Sequence, residues 1–214
     1  TLDGDDTGFG FQAGFIYEAA DDIRIGVKYQ SELDIDYGGG FELKRGFDQA
    51  LIADIDTDTE LTMAQVVRVG IHYDLTQDLG LDLSWGWDDW SALDQVFVSG
   101  DGPGSGAGLK KSWEDTYHYA VGLQYALNDK WEISTGFAYD TNPVSRQDRT
   151  ADLPVDRQYR YNAGTRYQHS DNLSLGGYIA YADLGEAPIQ GRAFSGEYGT
   201  NELWGVSVFL NWQL

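Results

Sequence analysis

The 214 residues contain no cysteine. That excludes a disulfide framework, a thiolate metal site and a cysteine nucleophile. Positive charge is scarce as well: 14 Lys and Arg stand against 35 Asp and Glu, for a formal charge of −21. Such a chain lacks the basic footprint that a nucleic-acid partner requires, and it lacks the polybasic patch that docks proteins on anionic membrane surfaces. No stretch of 18 or more apolar residues exists to make a membrane-spanning helix. The opening TLDGDDTGFG has neither the basic nor the apolar segment of a secretory signal. What the chain does have is glycine, 27 residues, and aromatics: nine Phe, seven Trp and fourteen Tyr. A disordered acidic chain should be poor in aromatics, so this one folds.

Apolar residues recur at every second position over long stretches. From Trp113 one set reads Trp113, Asp115, Tyr117, Tyr119, Val121, Leu123, Tyr125, Leu127; the intervening set reads Glu114, Thr116, His118, Ala120, Gly122, Gln124, Ala126. This is a strand with one greasy face and one face of small or polar residues. The same alternation begins at Leu61, at Leu79 and at Trp204, and the period of a helix fits none of these segments. It predicts nine strands, near 8–19, 22–36, 60–75, 78–98, 112–127, 130–141, 157–169, 172–183 and 201–213. Short turns at 19–22, 76–78, 128–130 and 170–172 alternate with long connections at 37–59, 99–111, 142–156 and 184–200, rich in Gly, Asp, Pro and Ser.

Short turns at one end, long loops at the other, strands of about ten residues and Tyr and Trp at the ends of the greasy face are the signature of an outer-membrane barrel. In hydrocarbon every backbone N–H and C=O must find a partner, and a closed sheet supplies one without an edge. The expected fold class is therefore all-β, an antiparallel transmembrane β-barrel and a single domain over 1–214, with apolar side chains toward lipid and the others toward the lumen. A soluble sandwich is the competing reading. The first and last predicted strands run in the same direction, and nine strands so arranged cannot close on themselves. The expectation is the C-terminal part of a longer barrel, without its signal peptide, N-terminal hatch and early strands.

The segments GDDTGFGFQAGFIYEAADDIRIGVKYQSEL, ELTMAQVVRVGIHYDLTQDLGLDLSWGWDDWSALDQVFV and WEDTYHYAVGLQYALNDKWEISTGFAYDTNPVSRQDRTADLPVDRQYRYNAGTRYQHSDNLSLGGYIAYADL resemble, in order and with matching turns, the C-terminal portion of the FadL/TodX-type long-chain fatty acid and hydrocarbon transporters of Gram-negative outer membranes. The resemblance implies a 14-stranded monomeric barrel plugged by an N-terminal hatch. It also implies passive transport of a long-chain fatty acid or similar hydrophobic molecule through internal sites, with lateral exit through the wall. The partners it implies are that cargo together with outer-membrane lipid and lipopolysaccharide, and no cofactor. A non-transporting barrel acting as adhesin or structural anchor is the alternative from another class. A general porin is the third, although the mostly small and uncharged lumen face speaks against a ring of lumen charges.

A fatty acid in a barrel needs an apolar passage and a cation for its carboxylate. The cations at lumen parity are Arg24, Lys28, Arg68, Arg160 and Arg166, and an arginine fork holds a carboxylate bidentately. They could equally pair with lumen carboxylates such as Asp74, Asp82 and Asp88. Ile16, Val66 and Phe209 are apolar at the same parity, and Phe41, Phe47, Phe97 and Phe194 in the long connections could build an outer capture groove or pack within their loops. An enzyme is not expected. His118 and Asp115 lie on opposite faces, His72 and His169 look isolated near the short turns, and no G-x-S-x-G elbow is present. Asp54, Asp56 and Asp58 alternate as in calcium loops but lack the glycine and distal Glu of an EF-hand, so they are weak metal candidates.

Overall fold

The computed structural model describes residues 2–5, 7–45, 47, 51–92, 95–100, 107–110, 112–151, 154–191 and 195–213, and of 2–5, 37–44, 51–60, 95–100 and 107–110 it describes the backbone alone. In chain order the strands are β1 (Leu2–Asp5), β2 (Gln12–Ala20), β3 (Ile23–Gln30), β4 (Leu33–Lys44), β5 (Leu51–Met63), β6 (Val66–Asp74), β7 (Leu79–Asp88), β8 (Gln95–Gly100), β9 (Ala107–Lys110), β10 (Thr116–Asn128), β11 (Trp131–Asp140), β12 (Gln158–Ser170), β13 (Leu173–Asp183), β14 (Ile189–Gln190), β15 (Ser195–Gly196) and β16 (Glu202–Trp212). A 3-10 turn, Trp90–Ala92, follows β7.

Nine strands form one antiparallel sheet in the order β2-β3-β6-β7-β10-β11-β12-β13-β16. They match the nine alternating segments of the sequence, β2, β10 and β12 each ending one residue beyond them, and the tight turns fall where Asp and Asn punctuate it. The sheet is open, with β2 and β16 at its edges among the described residues. Register is strict: Val121 lies opposite Leu83 on one side and Phe137 on the other, while Gly122 lies opposite Asp82 and Gly136. A side-chain period of two then keeps each set on its own face across the wall.

The long connections depart from the sequence reading. Residues 37–44 and 51–59 are not loop: β4 and β5 pair along nearly their whole length, Gly38 opposite Asp58 and Gly40 opposite Asp56, and they belong to a second sheet in the order β1-β4-β5-β8-β9. Only Ser31-Glu32 separates β3 from β4, and only Ala64-Gln65 separates β5 from β6. The hairpin is thus the continuation of two strands already paired, so the closure entropy that Gly and Asp would otherwise oppose is met by the wall beneath. Nor is 78–98 one strand. It stops at Asp88, turns through Trp90–Ala92, and resumes as β8 in the second sheet.

The wall has no interior of its own. Among the described residues the buried apolar ones are small or few: Ala64, Val144, Ala182, Ala187 and Ile189. Three of them lie in the connections that follow β11 and β13. By contrast Val206 and Val208 are 80% and 84% exposed, and Trp204, Leu210 and Trp212 stand beside them on β16. An apolar face of this extent would aggregate in water and fits lipid. Aromatics gather near both ends of that face. Tyr139, Tyr159, Phe137, Tyr161, Tyr181 and Trp204 form a chain of ring contacts toward the long connections, and Trp131 packs on Tyr167 at 4.7 Å toward the short turns. Such belts mark the two membrane interfaces.

Candidate functional site

The other face of the wall carries the polar chemistry. Near the long connections, Arg68 on β6 reaches diagonally to Asp88 on β7. Its Nη2 donates to both carboxylate oxygens at 2.8 and 2.9 Å, and its Nη1 donates to the carbonyls of Val67 at 3.0 Å and Trp87 at 3.2 Å. The residue opposite Arg68 is Gly86, and a Cβ there would lie within 2.8 Å of the Arg68 side chain. Glycine at 86 therefore makes the room in which the guanidinium lies flat against the sheet.

Three strands further on, Arg160 pairs with Asp140, whose other oxygen lies 2.9 Å from His118 Nδ1. Toward the short turns, Arg166 donates to Glu132 at 2.8 Å. Arg24 lies 3.9 Å from Asp74, and His72 sits between Asp82 at 2.7 Å and Asp74 at 3.0 Å. Asp82 also accepts from Gln124 Nε2 at 2.7 Å.

Four of the five candidate cations thus lie beside a carboxylate of the wall. Asp74 and Asp88 serve as the sequence suggests, whereas Asp82 engages His72 and Gln124. Lys28 differs: among the described residues it makes no ion pair. It lines a hollow of about 890 Å³ whose floor includes Gly14, Gly26 and Gly70, with Ile16 and Arg68 at its sides. A second hollow, about 470 Å³, lies over Asn162 and Ala180 with Arg160, Tyr178 and Leu203 around it. Tyr178 and Leu203 share parity with Phe209, and alternation alone would have found them.

His72 is not isolated, contrary to expectation. The short turn at 75–78 fixes the β6–β7 register, which sets Asp82 directly opposite it, and Asp74 follows two residues on along the same face. His118 turns to Asp140 rather than Asp115, and Asp115 accepts instead from Trp87 Nε1 at 2.8 Å. No described hydroxyl is held by either imidazole as a nucleophile would be. Among the described residues no cluster of His, Asp and Glu is arranged to hold a metal ion. Asp54, Asp56 and Asp58 run along β5, and their side chains lie outside the description. So do those of Phe41 and Phe97, and Phe194 is outside altogether; Phe47 is exposed beneath the Arg45 guanidinium.

Beyond the wall, the connections 141–157 and 184–200 lock together around Arg149. Its side chain is 1% exposed and donates to the carbonyls of Pro188 at 2.7 Å and Val144 at 3.2 Å and to the Asn142 side chain at 2.9 Å, with Asp156 3.5 Å away. Burial pulls its guanidinium below the usual arginine range, and Asp156 opposes that pull. Beside the 3-10 turn, hydrogen bonds from Ser91 and Gln65 hold the Asp89 carboxyl below its usual range.

The family model described as outer membrane protein transport protein (OMPP1/FadL/TodX) matches residues 1–202. The long-chain fatty acid transport protein of Escherichia coli K12 is 26% identical over 220 residues, 94% of this chain and 49% of that protein. Outer membrane protein P1 of Haemophilus influenzae Rd is 28% identical over 86% of this chain and 38% of its own length. A crystal structure of a Pseudomonas aeruginosa FadL homologue superimposes with a TM-score of 0.75 at 20% identity, covering 94% of this chain and 50% of that one. The Ralstonia pickettii toluene transporter TbuX does so with a TM-score of 0.61 at 18% identity, over 96% of this chain and 48% of that one. The chain spans 38% to 50% of the length of these relatives.

Proposed function

The chain belongs to the outer membrane protein transport family (OMPP1/FadL/TodX), and from that membership we propose that it forms half the wall of a barrel that carries long-chain fatty acids or similar hydrophobic compounds inward across the outer membrane of a Gram-negative bacterium. Its nine-stranded sheet is a membrane-spanning wall, apolar toward lipid and small or polar toward the lumen. The observation that carries the transport reading is the inner face. It has smooth apolar stretches of glycine and alanine between polar clusters, where a water-filled porin would carry open charge.

The finer parts of the proposal are these. The protein acts as a monomer, in one barrel domain, without catalysis or cofactor. Cargo diffuses passively between internal sites and leaves sideways through the wall; the lateral exit rests on the family resemblance alone. Of Arg24, Lys28, Arg68, Arg160 and Arg166, those whose donors are not already engaged by the wall are the ones to meet a carboxylate. Lipid and lipopolysaccharide surround the apolar face, which the aromatic belts suit.

The test is uptake by a host lacking its own transporter and expressing the full-length gene. Labelled oleate, toluene and a small sugar are offered in parallel. Saturable oleate uptake is the expected result. Toluene uptake alone would keep the passage and change the cargo, and sugar uptake would indicate a porin. A folded barrel that moves none of them would overturn transport in favour of an adhesin or anchor.

A further inference from the structure

We propose that the hollow beside Lys28 binds the head of a carboxylate amphiphile, with the Lys28 ammonium as its counter-ion; this rests on the transport reading and adds the group that recognises the cargo's charge.

Among the described residues the wall offers this lysine no ion-pair partner. Directly opposite Lys28 stand Gly14 on β2 and Arg68 on β6. The diagonal positions are Gln12, Ile16, Val66 and Gly70. None of these six bears a carboxylate. Two cations facing each other across adjacent strands repel. The conflict is relieved on one side only: Arg68 turns over Gly86 to Asp88, where its Nη1 and Nη2 make four hydrogen bonds, two of them to the carboxylate. Lys28 then remains the cation whose field reaches the hollow, and its ammonium has three donors to offer.

The space suits an alkyl chain with a charged end. A Cβ placed on Gly26 would meet nothing within 4 Å, and one placed on Gly70 only the Leu83 carbonyl at 3.8 Å. The hollow therefore runs down to the backbone beside the apolar Ile16 side chain. It is an open hollow of about 890 Å³ on the inner face, with room along it for an alkyl chain. Charge complementarity selects a carboxylate head over an alcohol or a hydrocarbon. Arg160 and Arg166, by contrast, present guanidinium groups already neutralised by Asp140 and Glu132.

The experiment compares binding of oleate and oleyl alcohol to the full-length protein in lipid nanodiscs, for the wild type, Lys28→Gln, Lys28→Arg and, as a control near the short turns, Arg166→Gln. The wild type should prefer oleate. Lys28→Gln should weaken oleate binding about 10- to 100-fold, the scale of a lost charged hydrogen bond, and leave oleyl alcohol unchanged. Lys28→Arg should retain the preference, and Arg166→Gln should not alter it. An unchanged oleate preference in Lys28→Gln overturns the assignment while leaving transport intact. So does a Lys28→Gln variant that loses thermal stability but keeps that preference, because the lysine would then pair with another part of the barrel. A wild type that binds both equally also overturns it, and one that binds neither removes the transport reading with it.

Discussion

At the scale of single residues, the inner face is built around positions where a side chain has been removed to admit a neighbour. Gly86 admits Arg68. Gly176 admits Phe209: a Cβ there would collide with the Phe209 ring and lie 2.7 Å from the Thr165 carbonyl, which is backbone and cannot swing aside. Gly26 is different, because the same atom would meet nothing within 4 Å. Two substitutions identical in chemistry should then differ in sign. Gly176→Ala is expected to destabilise the folded barrel by about 1–3 kcal/mol through overpacking. Gly26→Ala should be neutral or stabilise by up to about 1 kcal/mol, since alanine gives up less conformational freedom in a strand. Urea unfolding of the full-length protein in lipid vesicles measures both; equal effects would mean that the strands around Gly176 yield to admit a methyl group. These contacts also show where residue-level reading stops. Arg68–Asp88 and His72–Asp82 lie across the short turn of one hairpin, where register can be counted from the turn, and both were accessible to the sequence. Arg166–Glu132 and Arg160–Asp140 lie across the long connection 141–157, whose length leaves register undetermined, and Glu132 and Asp140 were missed for that reason.

At the scale of elements, alternation located all nine wall strands because each must present lipid on one side and lumen on the other. The second sheet answered to a different cause. In β5 Asp54, Asp56 and Asp58 alternate with Ile55, Thr57 and Thr59. Composition read that stretch as a loop, whereas continuity with the β3–β6 pair makes it a strand. The connections after β11 and β13 hold a different device, a buried arginine joining two loops that are otherwise far apart in sequence. Removing one partner of a buried, hydrogen-bonded ion pair costs about 3–5 kcal/mol because the other is left uncompensated. Arg149→Met should therefore open the loop pair while the wall, which shares none of these bonds, stays folded. Thermolysin is expected to cut within 141–157 in the variant and not in the parent, with the heat-modifiable migration of the barrel retained. Equal resistance in the two proteins would show that Val144, Ala187 and Ile189 hold the loops together without it.

At the scale of the whole molecule, the assignment of the two faces to lipid and lumen governs everything inferred about passage, and a single pair of strand neighbours can test it. Leu123 and Gln124 are consecutive on β10 and point to opposite faces. Leu123 lies opposite Leu81 and Thr135 and belongs to the apolar set, and Gln124 lies opposite Gly80 and Ser134 and donates to Asp82. A charge on the lipid side of a barrel costs about 2–4 kcal/mol at the bilayer midplane and less toward the interfaces. On the lumen side the same charge stays hydrated, and here it would inherit a carboxylate partner. Leu123→Arg is accordingly expected to lower the unfolding free energy of the full-length protein in vesicles by about 2–4 kcal/mol. Gln124→Arg should change it by no more than about 1 kcal/mol, as a solvent-accessible ion pair does. The reverse ordering would exchange the two faces, place Lys28 and its hollow against lipid, and require the passage to be sought among the aromatic belts instead.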